Sequence, residues 1–88
     1  MIKLDTFNIK NLKSVCEICK YNLEILEDET ISISKDNEIR LYLNAEDALV
    51  ELLDDLSYVN QNFLKEGIVS LEIEKMIQNI YSLKENQN

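Results

Sequence analysis

The 88-residue chain has no histidine, no proline, no tryptophan and only one glycine, Gly67. Without histidine it lacks the commonest general base and metal ligand of proteins. A single glycine leaves no glycine-rich loop to hold a phosphate, and no serine lies in a nucleophile elbow. The carboxylates are abundant, but they fall on predicted exposed faces, where no pocket would perturb them. These absences predict a protein that is not an enzyme and needs no cofactor.

Cysteine is also scarce, with only Cys16 and Cys19. Two cysteines so close together form no disulfide framework and fit a reducing compartment. A zinc ion wants four ligands, so metal binding would need a dimer sharing four thiolates, or carboxylates completing the shell. A redox pair should open a helix, whereas these residues fall within the apolar face of a predicted helix. Core packing is the favoured interpretation, and an oligomer-held metal and redox chemistry are the alternatives.

Long apolar runs are missing as well. The amino terminus lacks the apolar run of a signal peptide, and no stretch approaches the roughly 20 residues of a membrane span. We therefore expect a cytoplasmic protein. No proline, linker or repeat marks a second domain, so residues 1–84 should form one domain. Residues 85–88 have no apolar side chain and are expected to be a disordered tail.

Negative charge is what the chain has in excess, with a net charge of −8 at pH 7. Such a charge argues against direct binding to nucleic acid, whose phosphates require Lys and Arg, and against anionic membranes. Residues 22–69 hold twelve acidic side chains against only Lys35, Arg40 and Lys65. This asymmetry says more about binding partners than about the fold.

The first half of the chain changes its hydrophobic period. Asn8 is predicted to cap a helix with one apolar face, and Asn22 to end it. The period then becomes two, which predicts a three-stranded antiparallel meander. A continuous helix over residues 9–27 is the alternative for residues 23–27, and we prefer the strand. The expected apolar face of the sheet carries Leu23, Ile25, Ile31, Ile33, Ile39, Leu41 and Leu43, and the opposite face carries Glu24, Ser32, Ser34, Arg40 and Tyr42.

The second half shows two amphipathic helices. Asn44 and Asp47 resemble a capping box at the start of the first of them, and Gly67 is predicted to end it. Ser70 is predicted to cap the last helix. The expected class is therefore α+β, in the order helix, three-stranded antiparallel meander, two helices, with the helices packed on one face of the sheet.

The helix that begins after Asn44 has an acidic stripe opposite its leucine-rich face. Like charges at i,i+4 cost a helix about 0.2–0.5 kcal/mol per pair, and no lysine is interleaved to relieve them. One interpretation is a solvated face that keeps the protein soluble. The other is a partner-binding surface that competes with nucleic acid for a basic groove. The candidate residues are the four carboxylates, the aromatic ring within the stripe and the valine beside it: Asp47, Glu51, Asp54, Asp55, Tyr58 and Val50.

Size, acidity and element order together resemble the small phage anti-CRISPR proteins that inhibit Cas9 by mimicking DNA. The resemblance implies a non-enzymatic inhibitor in the cytoplasm of a bacterial host cell. Its partner would be a basic nucleic-acid-binding protein of the Cas nuclease type. The alternative is a general interaction module, such as an antitoxin or accessory subunit, that binds through an apolar patch around Val50 or the spare sheet face. Uncovered sheet edges also allow a homodimer.

Overall fold

A computed structural model of the chain describes residues 6–86. The order of elements confirms the α+β class and the strand at residues 23–25. The three helices and three strands are α1 (Thr6–Cys19), β1 (Asn22–Ile25), β2 (Ile31–Lys35), β3 (Glu38–Tyr42), α2 (Ala45–Lys65) and α3 (Leu71–Asn86).

Both ends of α1 differ from the prediction. The helix already includes Thr6, so Asn8 lies inside it and is not its cap. Asn8 is instead buried, and its Nδ2 donates to Oε1 of Glu46 at 3.4 Å, which joins α1 to the start of α2. At the other end Lys20, not Asn22, adopts the left-handed conformation, with φ of 64°. Tyr21 N–H then donates to the Cys16 carbonyl at 2.8 Å, which closes a Schellman-type end.

The three strands form an antiparallel sheet in the order β1-β2-β3. Leu23 pairs with Ile33 and Ile25 pairs with Ile31, so these four apolar residues share one face, as predicted. The turn between β1 and β2 is acidic and is held by a hydrogen bond from Thr30 N–H to Oδ1 of Asp28 at 3.0 Å. The helices cover the face that carries Ile31 and Ile33, which are fully buried. We call the other side the open face of the sheet.

The predicted orientation of β3 is wrong. Only Asp36 and Asn37 separate the paired residues Lys35 and Glu38, so Ile39 pairs with Ser34. Because paired residues lie on the same face, Ile39 belongs to the open face.

The same register applies along the whole strand. Arg40 pairs with Ile33 and Tyr42 pairs with Ile31, which places Arg40 and Tyr42 on the helix side. Tyr42 packs against the core. Leu41 pairs with Ser32 and is exposed, and Leu43 is exposed beyond the end of β3. A shift of one residue moves every side chain of a strand to the other face.

Both long helices begin as predicted, and α2 also ends as predicted, whereas α3 runs further than expected. Asn44 Oδ1 accepts from Asp47 N–H at 2.9 Å at the start of α2, and Ser70 Oγ accepts from Ile73 N–H at 3.3 Å at the start of α3. Gly67 lies just past the end of α2 with φ of 80°, where a side chain would be strained. α3 continues through Glu85 and Asn86, which we expected in the tail, and residues 87 and 88 lie outside the described part of the chain.

A single core joins the three helices to the sheet. α2 packs against both α1 and α3 and contributes the largest share of the buried apolar side chains. Within residues 6–86, no helix is both long and apolar enough to cross a membrane. The buried apolar residues are Ile9, Leu12, Val15, Cys16, Cys19, Ile31, Ile33, Ala45, Ala48, Leu49, Leu52, Leu53, Leu56, Ile73, Met76 and Ile80.

Candidate functional site

The predicted binding residues all lie on α2, but the structure separates them. Asp47, Glu51, Asp54 and Tyr58 are exposed on the side of α2 away from the core, and we call these four residues the acidic face of α2. Val50 is half-buried and packs against the core, whereas the sequence predicted an exposed position for it. Asp55 is half-buried as well and is engaged within the protein.

Asp47 has a structural role in addition to its position on the acidic face of α2. Its backbone N–H is held by Asn44, and its Oδ2 accepts from Nδ2 of the same asparagine at 3.2 Å. The Asn44 side chain thus satisfies one of the orphan backbone donors at the start of α2, as the first residue of a capping box does. A negative charge here also favours the positive end of the helix dipole. Glu51 and Asp54 make no side-chain hydrogen bond or salt bridge within residues 6–86.

Asp55 belongs to a polar network that ties α1, β2 and α2 together. Tyr21 Oη donates to Oδ2 of Asp55 at 2.7 Å. The Nζ of Lys35 lies 4.8 Å from the centre of the Tyr21 ring and donates to the Cys19 carbonyl at 3.2 Å. This lysine therefore satisfies a carbonyl at the end of α1, where the helix itself offers no partner. Sequence periodicity gave no signal for Tyr21 or Lys35, because the contacts join residues far apart in the chain.

The network leaves a groove at the surface. Its volume is about 330 Å³, and Lys20, Tyr58 and Asn62 are among the residues that border it. Among the described residues that line it, Asp55 is the only one with a carboxylate, and that carboxylate accepts a hydrogen bond from the Tyr21 hydroxyl. The groove thus presents cations and an aromatic ring, with its one carboxylate already hydrogen-bonded.

Ionisation of the Tyr21 hydroxyl should lower the stability of the fold at high pH. Its hydrogen bond to Asp55, followed by burial, raises its pKa from 10.0 to about 12. Because the folded pKa is the higher one, the contribution is complete below pH 10 and is lost as the pH rises to 12. Solvent screens this half-buried group. We therefore expect a loss of about 1 kcal/mol in the free energy of unfolding, which is less than the full pKa shift would give.

Urea denaturation of wild type and Tyr21→Phe at several pH values would measure the effect. The difference in free energy of unfolding between wild type and Tyr21→Phe should decrease by about 1 kcal/mol between pH 10 and pH 12. Cys16 and Cys19 also destabilise the fold as they ionise, but they do so in both proteins and cancel in the difference. A gap that stays constant with pH would show that the hydroxyl contributes no proton-linked stability.

The two cysteines lie in the core. Cys16 lies in the last turn of α1 and Cys19 is its final residue, nearer to the helix end than the sequence indicated. Burial is the main cause that raises the pKa of Cys16 to about 12 and that of Cys19 to about 11. Within residues 6–86, no group of three or more His, Cys, Asp or Glu side chains is placed to hold a metal ion. The geometry favours packing over metal or redox chemistry.

The fold and the surface define a small acidic α+β domain with helices on one side of a three-stranded meander. No family model, no curated protein and no solved structure matches the chain.

Proposed function

We propose that this protein is a non-enzymatic inhibitor that occupies the basic, nucleic-acid-binding groove of a partner through the acidic face of α2. One observation carries the proposal. Glu51 and Asp54 are exposed, and in the part of the chain that the structure describes neither has a cation or a hydrogen-bond donor as a partner. α2 has no basic residue before Lys65. A solvated helix usually mixes charges of both signs, because like charges at i,i+4 are unfavourable. A cationic partner would remove that cost.

The spacing of the carboxylates supports the same role. Neighbouring positions on one side of a helix lie roughly 5–6 Å apart, which is of the order of successive phosphates along one DNA strand. Tyr58, one turn beyond Asp54, adds an aromatic ring of the kind that anchors interfaces. Asp55 is not included among the proposed binding residues, because its carboxylate accepts a hydrogen bond from Tyr21. The partner class that the resemblance implies is a nuclease of the Cas type, whose groove already binds phosphates.

Charge-neutral variants test the proposal. Glu51→Gln with Asp54→Asn removes two charges from the acidic face of α2. The matched control, Glu66→Gln with Glu85→Gln, removes two exposed charges near the ends of α2 and α3. The assay is competition for a Cas nuclease loaded with guide RNA and a fluorescent DNA duplex, followed by anisotropy at several salt concentrations.

We expect wild type to displace the DNA, the α2 variant to need about tenfold more protein, and the control to stay within about twofold. The α2 variant should also show a weaker dependence on salt. Equal losses in both variants would mean that net charge alone matters. Failure of wild type to displace DNA would contradict inhibition of this partner class.

A general interaction module is the second candidate function, and one observation favours it. Ile39 and Leu41 of β3 are exposed on the open face of the sheet, contrary to the sequence prediction. The sequence places the apolar patch of such a module around Val50 or on the spare sheet face with Tyr42, but both residues pack against the core. A module of this kind, such as an antitoxin or accessory subunit, would therefore bind through β3.

A further inference from the structure

The open face of the sheet carries an apolar strip along one edge. Ile39, Leu41 and Leu43 are 70%, 62% and 83% exposed, and they occupy alternate positions on β3 and just beyond it. β3 is an edge strand, because the order of the sheet is β1-β2-β3. Single exposed aliphatic residues are ordinary, but a contiguous strip on a monomer marks an interaction surface.

The strand register gives this face a trough. One row across the sheet is Asn22, Ser34 and Ile39, and the next is Glu24, Ser32 and Leu41. The central strand thus contributes only small hydroxyl side chains, between longer side chains on both sides. Strands lie about 4.8 Å apart, so the two walls are about 10 Å apart. An α-helix with its side chains is about 10–12 Å across, which matches that width.

The trough is acidic as well as apolar. Glu24 is the only charged residue in the two rows, and acidic turns close both ends, at residues 27–29 and at Asp36. The two basic residues within the three strands belong to the other face. Lys35 is held by the Cys19 carbonyl, and Arg40 pairs with Ile33 on the helix side.

We propose that this trough binds an amphipathic helix of a partner protein, with an aliphatic stripe flanked by lysine or arginine. The stripe would cover Ile39 and Leu41, and its flanking cations would meet Glu24 and the acidic turns. A second copy of this chain is the poorer occupant, because each copy carries a charge of −8 and would bring its own acidic turns to the contact. The proposal rests on the second candidate function and is independent of phosphate mimicry by the acidic face of α2.

A designed peptide is the probe, about 18 residues long, with a leucine stripe flanked by lysines. A second peptide replaces the lysines by glutamates. The trough variant is Ile39→Ser with Leu41→Ser. Its matched control is Leu71→Ser with Val69→Ser, because these residues have the same two exposures, 70% and 62%. Leu71 is the first residue of α3, and Val69 lies just before that helix. Fluorescence anisotropy measures affinity, and amide NMR shifts locate the bound peptide.

We expect the lysine peptide to bind wild type and the control within about twofold, and the trough variant about tenfold more weakly. Amide shifts should concentrate at Ser32, Ser34 and Leu41. No binding up to about 1 mM, or equal weakening in both variants, would overturn the proposal. So would a wild-type dimer in sedimentation velocity that the trough variant abolishes, because the occupant would then be a second copy.

The experiment also separates this proposal from the two functions. Glu51→Gln with Asp54→Asn should bind the lysine peptide within about twofold of wild type, because those residues lie on α2. If this variant loses the peptide and the trough variant keeps it, the acidic face of α2 is the site and the trough proposal fails. A further outcome is that the glutamate peptide binds as well as the lysine peptide and the trough variant weakens both. That result would show that the trough binds a helix but would overturn the proposal that its occupant is basic.

Discussion

Ile33→Ala is expected to lower the free energy of unfolding by about 3 kcal/mol, whereas Ile39→Ala should change it by less than about 0.5 kcal/mol. Ile33 is 1% exposed beneath the helices, and Ile39 is 70% exposed on the open face of the sheet. The two substitutions remove the same atoms from adjacent strands, so the difference isolates burial. Urea denaturation followed by circular dichroism measures both. For a domain of this size, the first loss is a large part of total stability.

This comparison tests the register of β3 directly. If Ile39 faced the helices, as the simple alternation of the sequence predicts, its truncation would be about as costly as that of Ile33. Ile31→Ala and Leu41→Ala form a second pair with the same logic, because Ile31 is fully buried and Leu41 is exposed. Similar losses within either pair would contradict the two-residue turn at Asp36 and Asn37.

Thiol labelling should show the second large effect. The pKa of Cys16 rises from 9.0 to about 12, mainly because burial disfavours the thiolate. The thiolate fraction near pH 8 therefore falls about a thousandfold, and the labelling rate falls with it, because the thiolate is the reactive form. For Cys19, with a pKa of about 11, the expected fall is about a hundredfold. Burial in the core slows access of the reagent further.

The measurement is the rate of reaction with an aromatic disulfide, in buffer and in urea. We expect both thiols to react quickly in urea and slowly in buffer, and we expect no stoichiometric zinc in the purified protein. Single variants Cys16→Ala and Cys19→Ala assign the two rates. Rapid reaction in buffer would support the redox alternative. Zinc that is lost with either variant would support the alternative in which a dimer shares the four thiolates.

The helices after residue 44 were predictable because their signals are local. A cap such as Asn44 acts on the backbone three residues away, and Gly67 tolerates the left-handed conformation by itself. The apolar stripe of α2 repeats over five turns, so one ambiguous residue does not change its period. The ends of α1 were harder to predict. Lys20 adopts the left-handed conformation, which is unfavourable for a residue with a side chain. The hydrogen bond from Tyr21 N–H to the Cys16 carbonyl offsets that cost.

The acidic face of α2 shows where local reasoning about a site ends. Helical geometry placed four carboxylates on one side, and three of them are exposed there. The fourth, Asp55, lies on the flank nearest to α1, where Tyr21 donates to it. No spacing within α2 indicates this, because the partner lies 34 positions earlier in the chain. The same holds for Asn8, which looked like a cap and is a buried contact to Glu46.

The sequence by itself determined the α+β class, the order of elements and the two cysteines as core residues, because hydrophobic period and composition act over a few neighbouring residues. Tertiary structure decided which face β3 turns to the helices. Alternation along one strand defines two faces but does not show which of them the helices cover. For β3, the two-residue turn after Lys35 decides which face lies under the helices. Pairing across the sheet therefore placed Tyr42 against the core and left Ile39 and Leu41 exposed.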